Sequence, residues 1–155
     1  MSDSLEFTVR GLPVPQGSGR SFVAGGKAVH VTTSSPLLAW RGAIAKDARD
    51  AVGGRPLLTG PVGLTLAFRP AVRPASHYLP ANSRRPVRVL RPDAPVYHTG
   101  RPDADKLGRA AMDALTAVAF DDDCRVADLR ITKRWPDDGE APGVDVRVRP
   151  LEEAR

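Results

Sequence analysis

Apolar side chains recur along this chain with two periods, and the switches between them mark its elements. Leu5, Phe7 and Val9 alternate with polar residues, the rhythm of a half-buried strand, until Gly11-Leu-Pro-Val-Pro closes the run. Arg20 to Ala24 and Ala28 to Thr32 flank Gly25-Gly26-Lys27, which predicts a hairpin. Ser35 as a cap and Pro36 in the first turn open a helix whose apolar face is Leu37, Trp40, Ile44, Ala48 and Ala51, and Gly53-Gly54 stops it. Val62, Leu64, Leu66 and Phe68 alternate as a second core strand. A second helix is expected from about Ala104 to Ala117, burying Leu107, Ala111, Leu115 and Val118. Beyond it Ala127, Leu129 and Ile131 alternate as a strand, Pro136 to Pro142 turns the chain, and Val144, Val146 and Val148 read as its antiparallel partner.

Strands outnumber helices and are mostly hairpin-connected, so the expected class is α+β: a small mixed, mostly antiparallel sheet with two main helices. The 155 residues, 41% of them hydrophobic, suit one domain with its own core. One segment breaks the pattern. Between Pro70 and Pro102 there are seven prolines (Pro70, Pro74, Pro80, Pro86, Pro92, Pro95, Pro102) and the arginines 73, 84, 85, 88, 91 and 101 against the single acid Asp93. A connection of this length is either functional or disordered in the free protein, and its arginines are candidates to grip a phosphate backbone.

The formal net charge of +5 biases the protein toward polyanions such as nucleic acid. Cys124, the single cysteine, has no partner for an intramolecular disulfide, and the N-terminus lacks the basic flank and apolar core of a secretory signal, so a cytoplasmic location is expected. No apolar run reaches the roughly 18 to 20 residues of a membrane span. His30, His77 and His98 show no shared ligand spacing, Trp40 and Trp135 read as packing residues, and Cys124 reads as a small buried or edge residue rather than a nucleophile.

Within this basic chain the acids gather in two clusters, Asp103 with Asp105, and Asp121-Asp122-Asp123. A spacing of two does not place side chains on one helix face, so Asp103 is expected just outside the second helix as its N-cap, with Asp105 in the first turn. The helix dipole there favours ionised carboxylates. An aspartate pair opening a helix is also ordinary capping. Three adjacent carboxylates between Phe120 and a core strand are harder to explain locally, because like charges that close repel unless a cation intervenes. If the helix packs beside the following strand, the clusters can meet at one rim of the sheet around a hard cation, Mg²⁺ or Mn²⁺. Arg109, four residues after Asp105, and Lys106 are placed to approach a scissile phosphate, or to form a surface ion pair.

The stretch Arg101-Pro-Asp103-Ala-Asp105-Lys106-Leu107, then Arg109, Asp113-Ala-Leu115, Phe120, Asp122-Asp123 and Val126-Ala-Asp128 through Lys133-Arg134 resembles, in order, the motifs of the RusA-type Holliday junction resolvases, endonucleases of phage and prophage origin. Pro13-Val-Pro-Gln-Gly-Ser-Gly-Arg20 and Trp40-Arg41 are more weakly similar to family features. The resemblance implies an α+β homodimer that resolves four-way DNA junctions by paired nicking. It implies that Asp103, Asp105 and Asp123 are catalytic carboxylates binding Mg²⁺, with Asp122 a neighbour, and that Arg109 stands where the family has a helical lysine. Lys106 replaces the family's asparagine. Arginine keeps the charge of lysine but does not release a proton, so Arg109 fits a stabiliser of transition-state charge and not a general acid.

The expected function is therefore a Mg²⁺-dependent, structure-selective DNA endonuclease. Lys106, Arg73, Arg84, Arg85, Arg88, Arg91 and Arg101 are its expected DNA contacts. The competing readings are a DNA-binding protein without catalysis and a phosphohydrolase of small substrates, which metal dependence and salt-sensitive DNA binding separate.

Overall fold

The computed structural model describes residues 3–17, 20–31 and 34–153. The chain forms β1 (Leu5–Arg10), β2 (Arg20–Ala24), β3 (Lys27–Val31), α1 (Ser35–Val52), β4 (Val62–Arg69), β5 (Tyr78–Leu79), β6 (Val89–Leu90), α2 (Ala104–Leu115), β7 (Val126–Lys133) and β8 (Gly143–Pro150). Four strands make the main sheet in the order β1-β8-β4-β7, in which β8 is antiparallel to both neighbours and β4 and β7 are parallel. This is the mixed α+β architecture the pattern predicts.

One pairing differs from the expectation. β8 does not pair with β7; it inserts between β1 and β4. The reason lies in burial: Val62, Leu64, Leu66 and Phe68 of β4 and Val144, Val146 and Val148 of β8 are all buried, whereas β7 carries Asp128, Arg130 and Lys133 and tolerates an edge. In register, Leu5, Val148 and Leu64 form one row of the core face, Phe7, Val146 and Leu66 the next, and Val9, Val144 and Phe68 the third. A register shift at Val62/Gly63 leaves Ala127 out of the ladder and exposed, and of the expected apolar positions of β7 only Ile131 packs on the core, Leu129 staying exposed at the edge.

Both helices cover the core face. Ser34, not Ser35, caps α1, its Oγ accepting from the Leu37 N–H at 3.4 Å, and Gly53 ends the helix in the left-handed conformation (φ 57°). α1 buries Leu37, Trp40, Ile44 and Ala48 as its spacing predicts. α2 buries Leu107, Gly108, Ala110, Ala111, Ala114 and Leu115, and it lies so close to β7 that a Cβ on Gly108 would run into the Ile131 side chain.

α2 runs antiparallel to β7, and this fixes where the acids stand. After α2 ends, the Ala119 carbonyl accepts from the Leu58 N–H (3.0 Å) and Asp121 N–H donates to the Leu58 carbonyl (3.2 Å), so Asp121–Asp123 lie near the C-terminal end of the helix. At the far end of β7, the Lys133 ammonium donates to the carbonyls of Gly100 (2.6 Å) and Pro102 (2.8 Å), immediately before α2 begins.

The long basic segment is anchored rather than loose. Arg73 is buried and donates to the carbonyls of Pro136 (3.0 Å) and Pro95 (2.9 Å). His77 and His98 pack on Trp135 with ring centroids 5.0 and 4.4 Å away, and His98 N–H donates to the Lys133 carbonyl at 3.1 Å. Burial, and the positive charge of Lys133 after it, lower the proton affinity of His98 and keep it neutral in this packing role. Among the described residues no helix is long and apolar enough to cross a membrane.

Candidate active site

Asp103 occupies the N-cap position of α2 with extended backbone (φ −71°, ψ 142°), yet its side chain caps nothing. Its carboxylate, about half exposed, faces the Lys106 ammonium at 3.3 Å. The two residues share a surface cleft of about 510 Å³ with Arg101 and Pro102, walled on the other side by Pro13 and Pro15. Three contacts hold the cleft in shape: the two Lys133 bonds to Gly100 and Pro102, and the Gln16 N–H to the Lys106 carbonyl at 3.0 Å. Asp105 is exposed in the first turn, and Arg109 is exposed one turn further along the same face.

A second acidic group stands at the other end of the helix. Gln16 Nε2 donates to Asp113 Oδ2 at 2.5 Å. The proton affinity of Asp123 is raised, first by desolvation, then by its hydrogen bond with Asp122 and the negative charges of Asp122 and Asp113. Asp122 is pulled the other way because the backbone N–H of Cys124 donates to it at 2.9 Å. Asp121 is neutralised by Arg125, whose guanidinium donates to both carboxylate oxygens at 2.9 and 3.0 Å. Cys124 is exposed, not buried, and Asp122 pushes its thiol up, away from the thiolate a nucleophile needs.

The expected meeting of the two clusters therefore does not occur within one chain. From Asp105 to Asp113 the helix rises about 12 Å, and among the described residues no group of three His, Cys, Asp or Glu is arranged to hold a metal ion. A cage uniting Asp103, Asp105 and Asp123 of one chain does not fit. Mg²⁺ is, however, commonly held by one or two carboxylates together with water and substrate phosphate. Asp103 and Asp105 are two exposed carboxylates at the head of α2.

The arginines separate into two groups. Arg73 is no phosphate clamp: it is buried and spent on backbone carbonyls. Arg85 donates to the Pro80 carbonyl at 2.8 and 3.2 Å and Arg88 lies 4.9 Å over the Tyr78 ring, so both brace the β5–β6 hairpin, while Arg91, just after it, pairs with Asp93 at 3.0 Å. Arg84 and Arg101 are exposed and, among the described residues, carry no such side-chain bond. Spacing could not reveal the positions of Gln16, Asp113 and Lys133, because each acts through a contact nearly a hundred or about thirty residues away.

An exposed carboxylate beside two cations in a cleft at a helix head, on a basic α+β chain, is the kind of surface that proteins acting on a phosphodiester backbone carry. The chain belongs to the endodeoxyribonuclease RusA family, whose model matches residues 11–149. The family is one of Holliday junction resolvases. The chain is also similar to the uncharacterized protein YqaN of Bacillus subtilis (strain 168), 31% identical over 150 residues that cover 95% of this chain and 96% of that protein.

Proposed function

We propose that the protein is a Mg²⁺-dependent endonuclease, Mn²⁺ substituting, that resolves four-way DNA junctions by paired nicking as a homodimer. The observation that carries this reading is the half-exposed Asp103 carboxylate, which caps no backbone N–H and lies in the cleft with Lys106 and Arg101. Asp103 and Asp105 would hold the ion, which when bound lowers the pKa of a water and stabilises charge on a phosphodiester. Lys106 and Arg101 neutralise the entering phosphate, and Asp103, now paired with Lys106 at 3.3 Å, is one of the carboxylates that would hold the metal. Arg109, permanently charged, stabilises negative charge developing beside Asp105. Asp122 and Asp123 stand just before β7, where Asp123 holds its proton more tightly than a free carboxyl. Arg84, with Arg85 and Arg88 on the same hairpin and Arg91 just after it, tracks the backbone away from the cut.

The test is cleavage of a labelled four-way junction and of linear duplex in Mg²⁺, Mn²⁺ or EDTA. Paired symmetric nicks in the junction that disappear in EDTA, and that Asp103→Asn abolishes while junction binding stays or tightens, are expected. The competing reading is a DNA-binding protein without catalysis. Tight junction binding with no nick in either metal would select it.

A further inference from the structure

β2 and β3 pair with each other and, among the described residues, with no strand of the main sheet. Gly25 and Gly26 join them with φ of 58° and 76°, the left-handed pair that a tight two-residue hairpin turn requires. Every residue from Phe22 through Ala28 is exposed, Phe22 at 51% and Val23 at 75%. A lone two-stranded ribbon is marginally stable in water. Large apolar side chains at its tip mark a surface that something covers.

Charge identifies the occupant. From Phe7 through Lys46 the sequence has no Asp or Glu, whereas Arg10, Arg20, Lys27, Arg41 and Lys46 are all basic. Arg20 and Lys27 belong to the ribbon. Arg20 follows four residues after Gln16, which is bonded to the Lys106 carbonyl and to Asp113. A basic ribbon that carries an exposed aromatic matches nucleic acid, whose phosphates take the cations and whose unstacked bases offer flat apolar faces.

We propose that the β2–β3 hairpin is a DNA-probing arm that sets Phe22 against an unstacked base at the branch point, with Lys27 on a flanking phosphate. Register places Phe22 opposite Val29 and Val23 opposite Ala28, so the two apolar tip residues face opposite sides of the ribbon. Only bases already freed from stacking at a strand exchange can meet Phe22 cheaply, which makes the arm selective for branched over linear DNA. The inference rests on the junction-nuclease reading and names the residues that recognise its substrate.

The experiment uses a four-way junction with 2-aminopurine at the branch, a linear duplex, and the full chain as wild type, Phe22→Ala and Phe22→Tyr. Wild type should raise the 2-aminopurine fluorescence on binding. Phe22→Ala should bind the junction roughly tenfold more weakly, within the range measured for loss of one stacked base, and lose the fluorescence rise. Phe22→Tyr should restore binding, and all three should bind linear duplex alike with the same melting temperature. Equal junction affinity and equal fluorescence for wild type and Phe22→Ala would overturn the arm while leaving the nuclease reading intact. A change in oligomeric state with Phe22→Ala, or weakened binding to both DNAs, would overturn it too, the former by showing that a second copy covers the ribbon. If wild type binds no junction, the nuclease reading fails first and the arm fails with it.

Discussion

Lys133, the last residue of β7, reaches across to the Pro102 carbonyl at 2.8 Å and so ties the end of a sheet strand to the residue before Asp103. With the second bond to Gly100 it sets the height of the cleft floor. Lys133→Met should lower the cleavage rate by about 10²-fold, the scale of a misplaced catalytic group, while junction affinity changes little. Rate and binding measured separately check this, and partial recovery by Lys133→Arg would distinguish positioning from loss of a phosphate contact.

Asp113 and Asp123 repel across the C-terminal half of α2, and that repulsion contributes to the raised proton affinity of Asp123. Asp113→Asn removes one negative charge, so the Asp123 carboxyl should titrate at lower pH. Carbon-detected NMR titration of the side-chain carboxyls reads the shift directly. An unchanged midpoint would mean that desolvation and Asp122 alone account for it.

Arg84 and Arg73 come from the same basic segment but have opposite surroundings. Exposed Arg84, replaced by Ala, should weaken junction binding and reduce the slope of log K against log salt by about one. Buried Arg73 holds Pro95 and Pro136 together. Arg73→Ala should lower the melting temperature and leave two carbonyls unsatisfied, at a cost of about 2 to 3 kcal/mol. Salt titrations of binding and thermal melts of the two variants separate the roles.

The guanidinium of Arg134 meets both oxygens of Glu140, at 2.6 and 2.7 Å, and holds its carboxyl at about 2 against an ordinary 4.5. Because the ionised form is favoured in the folded protein, this stabilisation is fully present above the unfolded value and is lost as pH falls from there toward 2. It is on the order of 2 to 3 kcal/mol. Glu140→Gln should therefore be less stable than wild type at pH 7, and the gap in urea midpoint should shrink at pH 3.

Much of the architecture was written in local pattern. Alternation in β1, β4 and β8, the apolar stripe of α1 and the left-handed glycine after it depend only on residue period and backbone sterics, and all of them stand where the pattern puts them. The N-cap position of Asp103 and the first-turn place of Asp105 follow the same local logic.

Partner choice was beyond it. Which strand neighbours β8 is a competition for burial among all strands, and the fully apolar β4 won it over β7. The direction of α2 along β7 sent the two acidic clusters to opposite helix ends, although the order of the motifs reads as one site. Arg73 and Arg84 look alike as letters; only the packing of Trp135, His77 and His98 buried one and left the other in solvent. Local sterics act over a few residues and are carried by the sequence, whereas these outcomes depend on desolvation and contact between segments that meet only once the chain has folded.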